Sequence, residues 1–160
     1  VTGTGATFDS EAGYRAAIAL TLAGARRELR IFDRNLMNMG LEERAQVDLL
    51  GRFLATGSDR QVHVVVHDLA PLQSRLPRLL ALLRDYAHQV DVRVTPEHLQ
   101  HLSDCWLLAD GESGAIRFHA DHARGKVVTA MPTEIKPWWQ RAEDLGGESG
   151  VCVPWAVAGL

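Results

Sequence analysis

Apolar and polar residues change rhythm along this chain at regular intervals, and the rhythm predicts its elements. After Ser10, a residue suited to capping a helix, Tyr14, Ile18, Leu22 and Ala25 recur at close to 3.6-residue spacing, which predicts an amphipathic helix over about 11–27. The apolar run LRIF at 29–32, stopped by Asp33-Arg34-Asn35, reads as a buried strand. Leu41, Ala45, Leu49, Leu50, Phe53 and Leu54 then share one helical face over 41–56, with Gly57 as the stop. VHVVV at 62–66 is a strand pattern. Pro71 opens a helical region whose inner stripe is Leu76, Leu79, Leu80, Leu83 and Ala87, and VDVRV at 90–94 returns to strand.

Strands that alternate with helices predict parallel pairing through right-handed crossovers. Beyond Pro96 the pattern changes. CWLLA at 105–109 and AIRFH at 115–119 are separated by DGESG, a composition suited to a hairpin, so an antiparallel part joins the sheet. KVVTA at 126–130 suggests a further short strand, and PWWQRAEDL at 137–145 a last helix before the apolar tail VCVPWAVAGL. The expected fold class is therefore α/β: a mixed, mostly parallel sheet flanked by helices, in one domain over 1–160.

Composition narrows the function classes. Of 160 residues, 46% are hydrophobic and 23% charged, close to the soluble globular average, so neither disorder nor a membrane role is indicated. Apolar runs as short as VHVVV fall far below the ~20 residues of a spanning helix. A net charge of −3 argues against an overall nucleic-acid footprint. The opening VTGTGATFDSEAGY lacks the positive n-region of a secretory signal, and Cys105 and Cys152 lack metal-like spacing, so the expected compartment is the reducing cytoplasm. Trp138, Trp139 and Trp155 are expected to pack together in the core or in a dimer interface at the C-terminal end, because a nucleic-acid platform would interleave its aromatics with cations.

Ligands of open α/β sheets bind beyond the carboxyl ends of the strands, so the residues there are the candidate site. They are Asp33 and Arg34, His67 and Asp68, Asp110, and His119 with Asp121 and His122 just beyond. His119, His122 and Asp110 are the candidate acid, base or nucleophile groups. Asp33, Arg34, His67, Asp68, Arg117 and Arg124 are candidate ligand contacts. HADH at 119–122 follows a strand and lacks the Glu of a zincin helix, and HLQH at 98–101 reads as a solvated turn, so no metal is expected. No GxSxG, GxGxxG or GxxxxGK[ST] segment is present, and Arg-Gly-Lys at 124–126 lacks the upstream glycine of a phosphate loop, so no cofactor is expected.

The order of elements, with strand IFDR, strand VVVHD and then SDCWLLADG, resembles one half of the phospholipase D superfamily over roughly residues 10–145. Those enzymes carry H-x-K-x4-D on a strand. In one frame Asp110 and Gly111 match the terminal aspartate and its turn, Ser103 stands at the histidine position and Cys105 at the lysine position. In a second frame His101 stands at the histidine position, Ser103 at the lysine and Leu108 at the aspartate. The only lysines are Lys126 and Lys136, preceded two residues earlier by Arg124 and Glu134, so the chain holds no H-x-K at all.

In the family one histidine attacks phosphorus, another protonates the leaving group, and the lysines stabilise the equatorial oxygens. Losing one such fixed donor commonly costs ~3 kcal/mol of transition-state stabilisation. IFDRNL, DCWLLADG and FHADHARG are similar to an uncharacterised family of bacterial phospholipase-D-like domains, some attached to acetyltransferase domains. The resemblance implies a symmetric homodimer of two half-sites, with an acetyltransferase or another protein as further partner and a phosphate-containing ligand in the crevice. The expected function is a catalytically degenerate domain that binds a ligand or partner. The alternative is a rewired phosphodiesterase in which His119 and His122 do the chemistry, with Arg117 or Arg124 supplying positive charge.

Overall fold

Ser10 accepts a hydrogen bond from the Gly13 backbone N–H (2.9 Å) and so starts the first helix where the chain leaves its first strand. The structure, a computed structural model, describes residues 3–156. Its elements in chain order are β1 (Thr4–Phe8), α1 (Glu11–Gly24), β2 (Glu28–Asp33), α2 (Arg44–Ala55), β3 (Gln61–Val66), α3 (Ala70–Arg75), α4 (Pro77–Asp85), β4 (Val90–Val94), β5 (Cys105–Ala109), β6 (Ser113–His119), β7 (His122–Thr129), α5 (Pro132–Glu148) and β8 (Gly150–Cys152). The strands form one sheet in the order β1-β7-β6-β5-β2-β3-β4-β8. Among the described residues no helix is long and apolar enough to cross a membrane.

The expected mixed α/β sheet flanked by helices is present. Its parallel part is the centre, β2-β3-β4, where strands alternate with helices. Among the described residues the other five pairings are antiparallel, so the sheet is mostly antiparallel and not the mostly parallel one that the sequence pattern predicted. Side chains alternate across the sheet and feed two cores. On one face Leu29, Ile31 and Val64 meet Tyr14 and Ile18 of α1, Leu50 and Phe53 of α2, and Leu79 of α4. On the other, Phe32, Val65, Trp106 and Ile116 meet Ile135 and Leu145 of α5.

Four local differences from the sequence expectation have physical causes. Pro77 has no N–H and holds Leu76 outside the helical region (φ −121°, ψ 60°), which splits the third helical region into α3 and α4. The last helix is longer than 137–145 because Pro132 starts it and Pro137 is tolerated within it. Strands β1 and β8 form the two edges of the sheet; TGATF and GVC carry little strand signal and are held by pairing to β7 and β4. The tryptophans do not share one cluster. Trp138 and Trp139 pack on the α5 side, whereas Trp155 packs on the α1 side, and residues 157–160 of the tail lie outside the described residues.

The reversal at β5 decides which strand ends meet. Because β5 runs antiparallel to β2, its carboxyl end lies at the amino edge of the parallel strands, with Ala109 opposite Leu29. Asp110 is there, in the left-handed region (φ 58°), followed by Gly111 (φ 69°). Its carboxylate accepts from the backbone N–H groups of Arg26 (2.9 Å), Arg27 (2.7 Å) and Glu28 (2.9 Å). Asp110 therefore caps the entry to β2 and cannot join the other candidate residues at the opposite edge. Asp110→Ala is expected to lower the unfolding free energy by about 2 kcal/mol in urea titrations, the scale of hydrogen bonds to a charged acceptor, with the far edge of the sheet unchanged.

Candidate functional site

The carboxyl ends of β2, β3 and β6 and the starts of β5 and β7 share one edge of the sheet. This edge carries Asp33, Arg34, His67, Asp68, Ser103, Cys105, Arg117, His119, His122 and Arg124. Gly125 makes the close approach possible: a Cβ there would lie 1.8 Å from the Ile116 carbonyl oxygen and 2.6 Å from the Phe8 ring. The strands shift register between Arg117 and His119, which turns the end of β6 over the crevice.

Arg117 is the centre of the edge and is only 3% exposed. Its guanidinium grips the Glu11 carboxylate at two points, Nη1 to Oε2 at 3.0 Å and Nη2 to Oε1 at 2.7 Å. Nε donates to the His119 carbonyl (3.2 Å) and Nη2 to the Ala120 carbonyl (2.7 Å). The Tyr14 ring lies beneath, its centroid 5.1 Å from the guanidinium carbon. Burial disfavours the Arg117 charge, and the bond to Glu11 more than restores it. Conversely, the Arg117 hydrogen bond holds the Glu11 carboxyl below the ordinary glutamate range. All three guanidinium nitrogens are engaged.

Beside Arg117 stand Ser103 and Cys105, the positions that the first frame of the resemblance assigns to histidine and lysine. The Ser103 carbonyl accepts from the Ala120 N–H (2.6 Å), closing the loop onto β6. Cys105 is buried, and burial first, then the Asp33 carboxylate, push its thiol far above the usual thiol range. It is a neutral group with no nucleophilic thiolate. Asp33 is itself buried and accepts from the N–H groups of Asn35 (3.1 Å) and Leu36 (2.7 Å), which pins the turn where Leu36 has φ 66°. The cavity between Asp33, Asn38, Cys105 and Arg117 is about 40 Å³, enough for ordered water and too small for a phosphate ester.

The remaining candidates divide. His67 is a structural staple: its Nε2 donates to the Leu102 carbonyl (2.6 Å), and Nδ1, which is then the acceptor in the neutral ring, lies 2.6 Å from the Thr95 hydroxyl. The Asp68 carboxylate accepts from the Ala70 N–H (3.0 Å) at the start of α3. Arg34 is exposed and reaches Asp121 at 3.5 Å. His98 lies 3.7 Å from Glu148 on a solvated turn. Outside the closed crevice, His119, His122 and Arg124 line an open groove of about 750 Å³ together with Phe118, which is 52% exposed. The two imidazole rings are 5.4 Å apart, and His119 Nδ1 accepts from the Asp121 N–H (3.1 Å), leaving Nε2 to carry the proton in the neutral ring. Among the described residues no three His, Cys, Asp or Glu side chains are placed to hold a metal ion.

Residues 9–146 match the family described as Domain of unknown function (DUF7931). The chain belongs to that family. No curated protein matches the DUF7931 chain. Among solved structures it is similar to Nuc from Salmonella typhimurium, a phospholipase D family member, with a TM-score of 0.65 and 12% identity over 94% of this chain and 99% of Nuc. NucT from Helicobacter pylori matches with a TM-score of 0.57 and 10% identity over 94% of this chain and all of NucT (100%). TrmBL2, an archaeal chromatin protein, matches with a TM-score of 0.65 and 15% identity over 92% of this chain and 54% of its own. The DUF7931 domain thus has a phospholipase-D-like fold.

Sequence reasoning missed Glu11 and Tyr14. Glu11 reads as an ordinary first-turn acid of α1, and no local pattern ties it to an arginine 106 residues away. The pair makes stability depend on pH in a stated direction. Because the Glu11 pKa lies below its unfolded value, its contribution is complete above the ordinary glutamate range and is lost as pH falls through the depressed folded value. Glu11→Gln should therefore be less stable than the native chain at neutral pH and converge with it in acid, as followed by urea titrations at a series of pH values.

Proposed function

We propose that this chain is a catalytically degenerate phospholipase-D-like domain that acts as an accessory module. It binds a phosphate-bearing ligand in the outer groove and pairs with a second copy about a two-fold axis. The observation that carries the reading is the engagement of every Arg117 nitrogen by Glu11 and two backbone carbonyls, beside a neutral Cys105. A phosphoryl-transfer site needs cations that are unneutralised until the substrate arrives, because they must stabilise charge developing on the phosphoryl oxygens. Here the buried cation already has its anion. Ser103, with its backbone tied to Ala120, stands where the attacking histidine would be in one frame of the resemblance, and a serine there lacks the imidazole that the family uses as its nucleophile.

His119, His122 and Arg124 suit binding rather than turnover. They are exposed or half-exposed, they sit in one groove with Phe118, and they carry donors for phosphate oxygens. Phe118 supplies apolar surface for a ligand or for the second copy. In this reading the module works in the reducing cytoplasm beside a protein partner such as an acetyltransferase.

The test is turnover of bis(p-nitrophenyl) phosphate together with the mass in solution by light scattering. The expected result is a dimer with no release of nitrophenol above the uncatalysed rate. Release that disappears in His119→Ala and persists in His98→Ala would sink the reading in favour of a rewired phosphodiesterase.

A further inference from the structure

The opposite face of the sheet holds a second feature, independent of the strand-end groove and of the function proposed for it. The helix α5 runs from Lys126, which it pairs through Glu134, to Arg93, which donates to the Gly146 carbonyl at its far end. Beside its last turns, over β2, β3 and β4, lies a cavity of about 260 Å³. Its floor is apolar, built from Phe32, Val65 and Leu145, with Ala142 on the helix side.

Two arginines at the mouth are fixed by the same pair of bonds. Arg30 donates from Nε to Glu28 (2.6 Å) and from Nη1 to the Trp139 carbonyl (2.9 Å), with its guanidinium 3.9 Å from the Trp139 ring centroid. Arg93 donates from Nε to Asp91 (2.8 Å) and from Nη1 to the Gly146 carbonyl (2.9 Å). Among the described residues neither Nη2 has a hydrogen-bond partner. Each guanidinium lines the cavity and is held in place by two of its nitrogens, with the third left for a ligand. The ordering cost of a binding site is thereby met by the fold itself.

We infer that this cavity binds a small monocarboxylate with an apolar body, an aryl or branched aliphatic acid. The apolar floor takes the body, and the unengaged Nη2 groups of Arg30 and Arg93 take the carboxylate. Charge selects the monoanion. Glu28 and Asp91 already balance the two guanidiniums and Glu143 of α5 adds a third carboxylate to the wall, so a phosphate dianion would bring two further negative charges against acids of which two are held at 2.6 and 2.8 Å from the arginines. His63 stands between the acids, 3.5 Å from Asp91 and 3.9 Å from Glu28, and closes the mouth on the β3 side.

The probe is sodium benzoate, with benzamide and inorganic phosphate as controls, read by isothermal titration and by the shift in Tm of the whole chain. The expected result is saturable binding of benzoate, with benzamide and phosphate at least about tenfold weaker, the scale of one charge-assisted hydrogen bond. Arg93→Gln should weaken benzoate by about tenfold or more. Since that change also loosens the hold on α5, Ala142→Leu is the second variant: it fills the cavity from the helix side at a residue that bonds neither guanidinium, and should abolish binding. No saturable benzoate binding would overturn the inference. So would benzamide or phosphate binding as tightly as benzoate, or Ala142→Leu binding benzoate like the native chain.

Discussion

A guanidinium buried at the end of β6 must find an anion and enough acceptors, or the edge of the sheet cannot close around it. Arg117 finds Glu11 from α1 and the carbonyls of its own turn, and much else follows from that pairing. It ties the first turn of α1 to the far end of the sheet. It also draws residues 119–120 over β5, where Ala120 bonds Ser103. Tyr14 fills the space beneath. The crevice beside Cys105 becomes a packed, internally neutralised joint, and the polar side chains of His119, His122 and Arg124 face open space in the outer groove.

The two faces of the sheet illustrate opposite uses of arginine. On the α1 side, burial is nearly complete and every nitrogen of Arg117 is matched, so the residue holds structure together. On the α5 side, Arg30 and Arg93 are only partly buried and each is matched at two nitrogens. The planar fork makes both outcomes possible, because it can hold a carboxylate and a backbone carbonyl at fixed angles and still present a further N–H. With fifteen arginines among 17 basic residues, the chain relies on this geometry far more than on the point charge of lysine.

Much of the scaffold was legible in the sequence. The periodicity of Tyr14, Ile18 and Leu22, the runs LRIF, VHVVV and VDVRV, and the DGESG hairpin all reappear as elements within a few residues of their expected limits. What the pattern could not carry was direction and partnership. Nothing in CWLLA says that it pairs antiparallel with β2, yet that one reversal moves Asp110 to the amino edge of the parallel strands and leaves His119 at their carboxyl edge. Edge strands such as TGATF are made by their neighbours rather than by propensity. His67 ends β3 as a strand-end candidate should, and both of its ring nitrogens are occupied by Thr95 and Leu102, partners that the sequence pattern does not name.

Under the proposed function, Glu11 and Arg117 close the crevice beside Ser103 and Cys105, and an anion binds in the outer groove. The most direct measurement is a crystal structure after soaking with tungstate, a phosphate mimic. The account predicts the oxyanion against His119, His122 and Arg124, with the two-point bond between Glu11 and Arg117 intact. Tungstate bound to Arg117 in place of Glu11, beside Ser103 and Cys105, would contradict it.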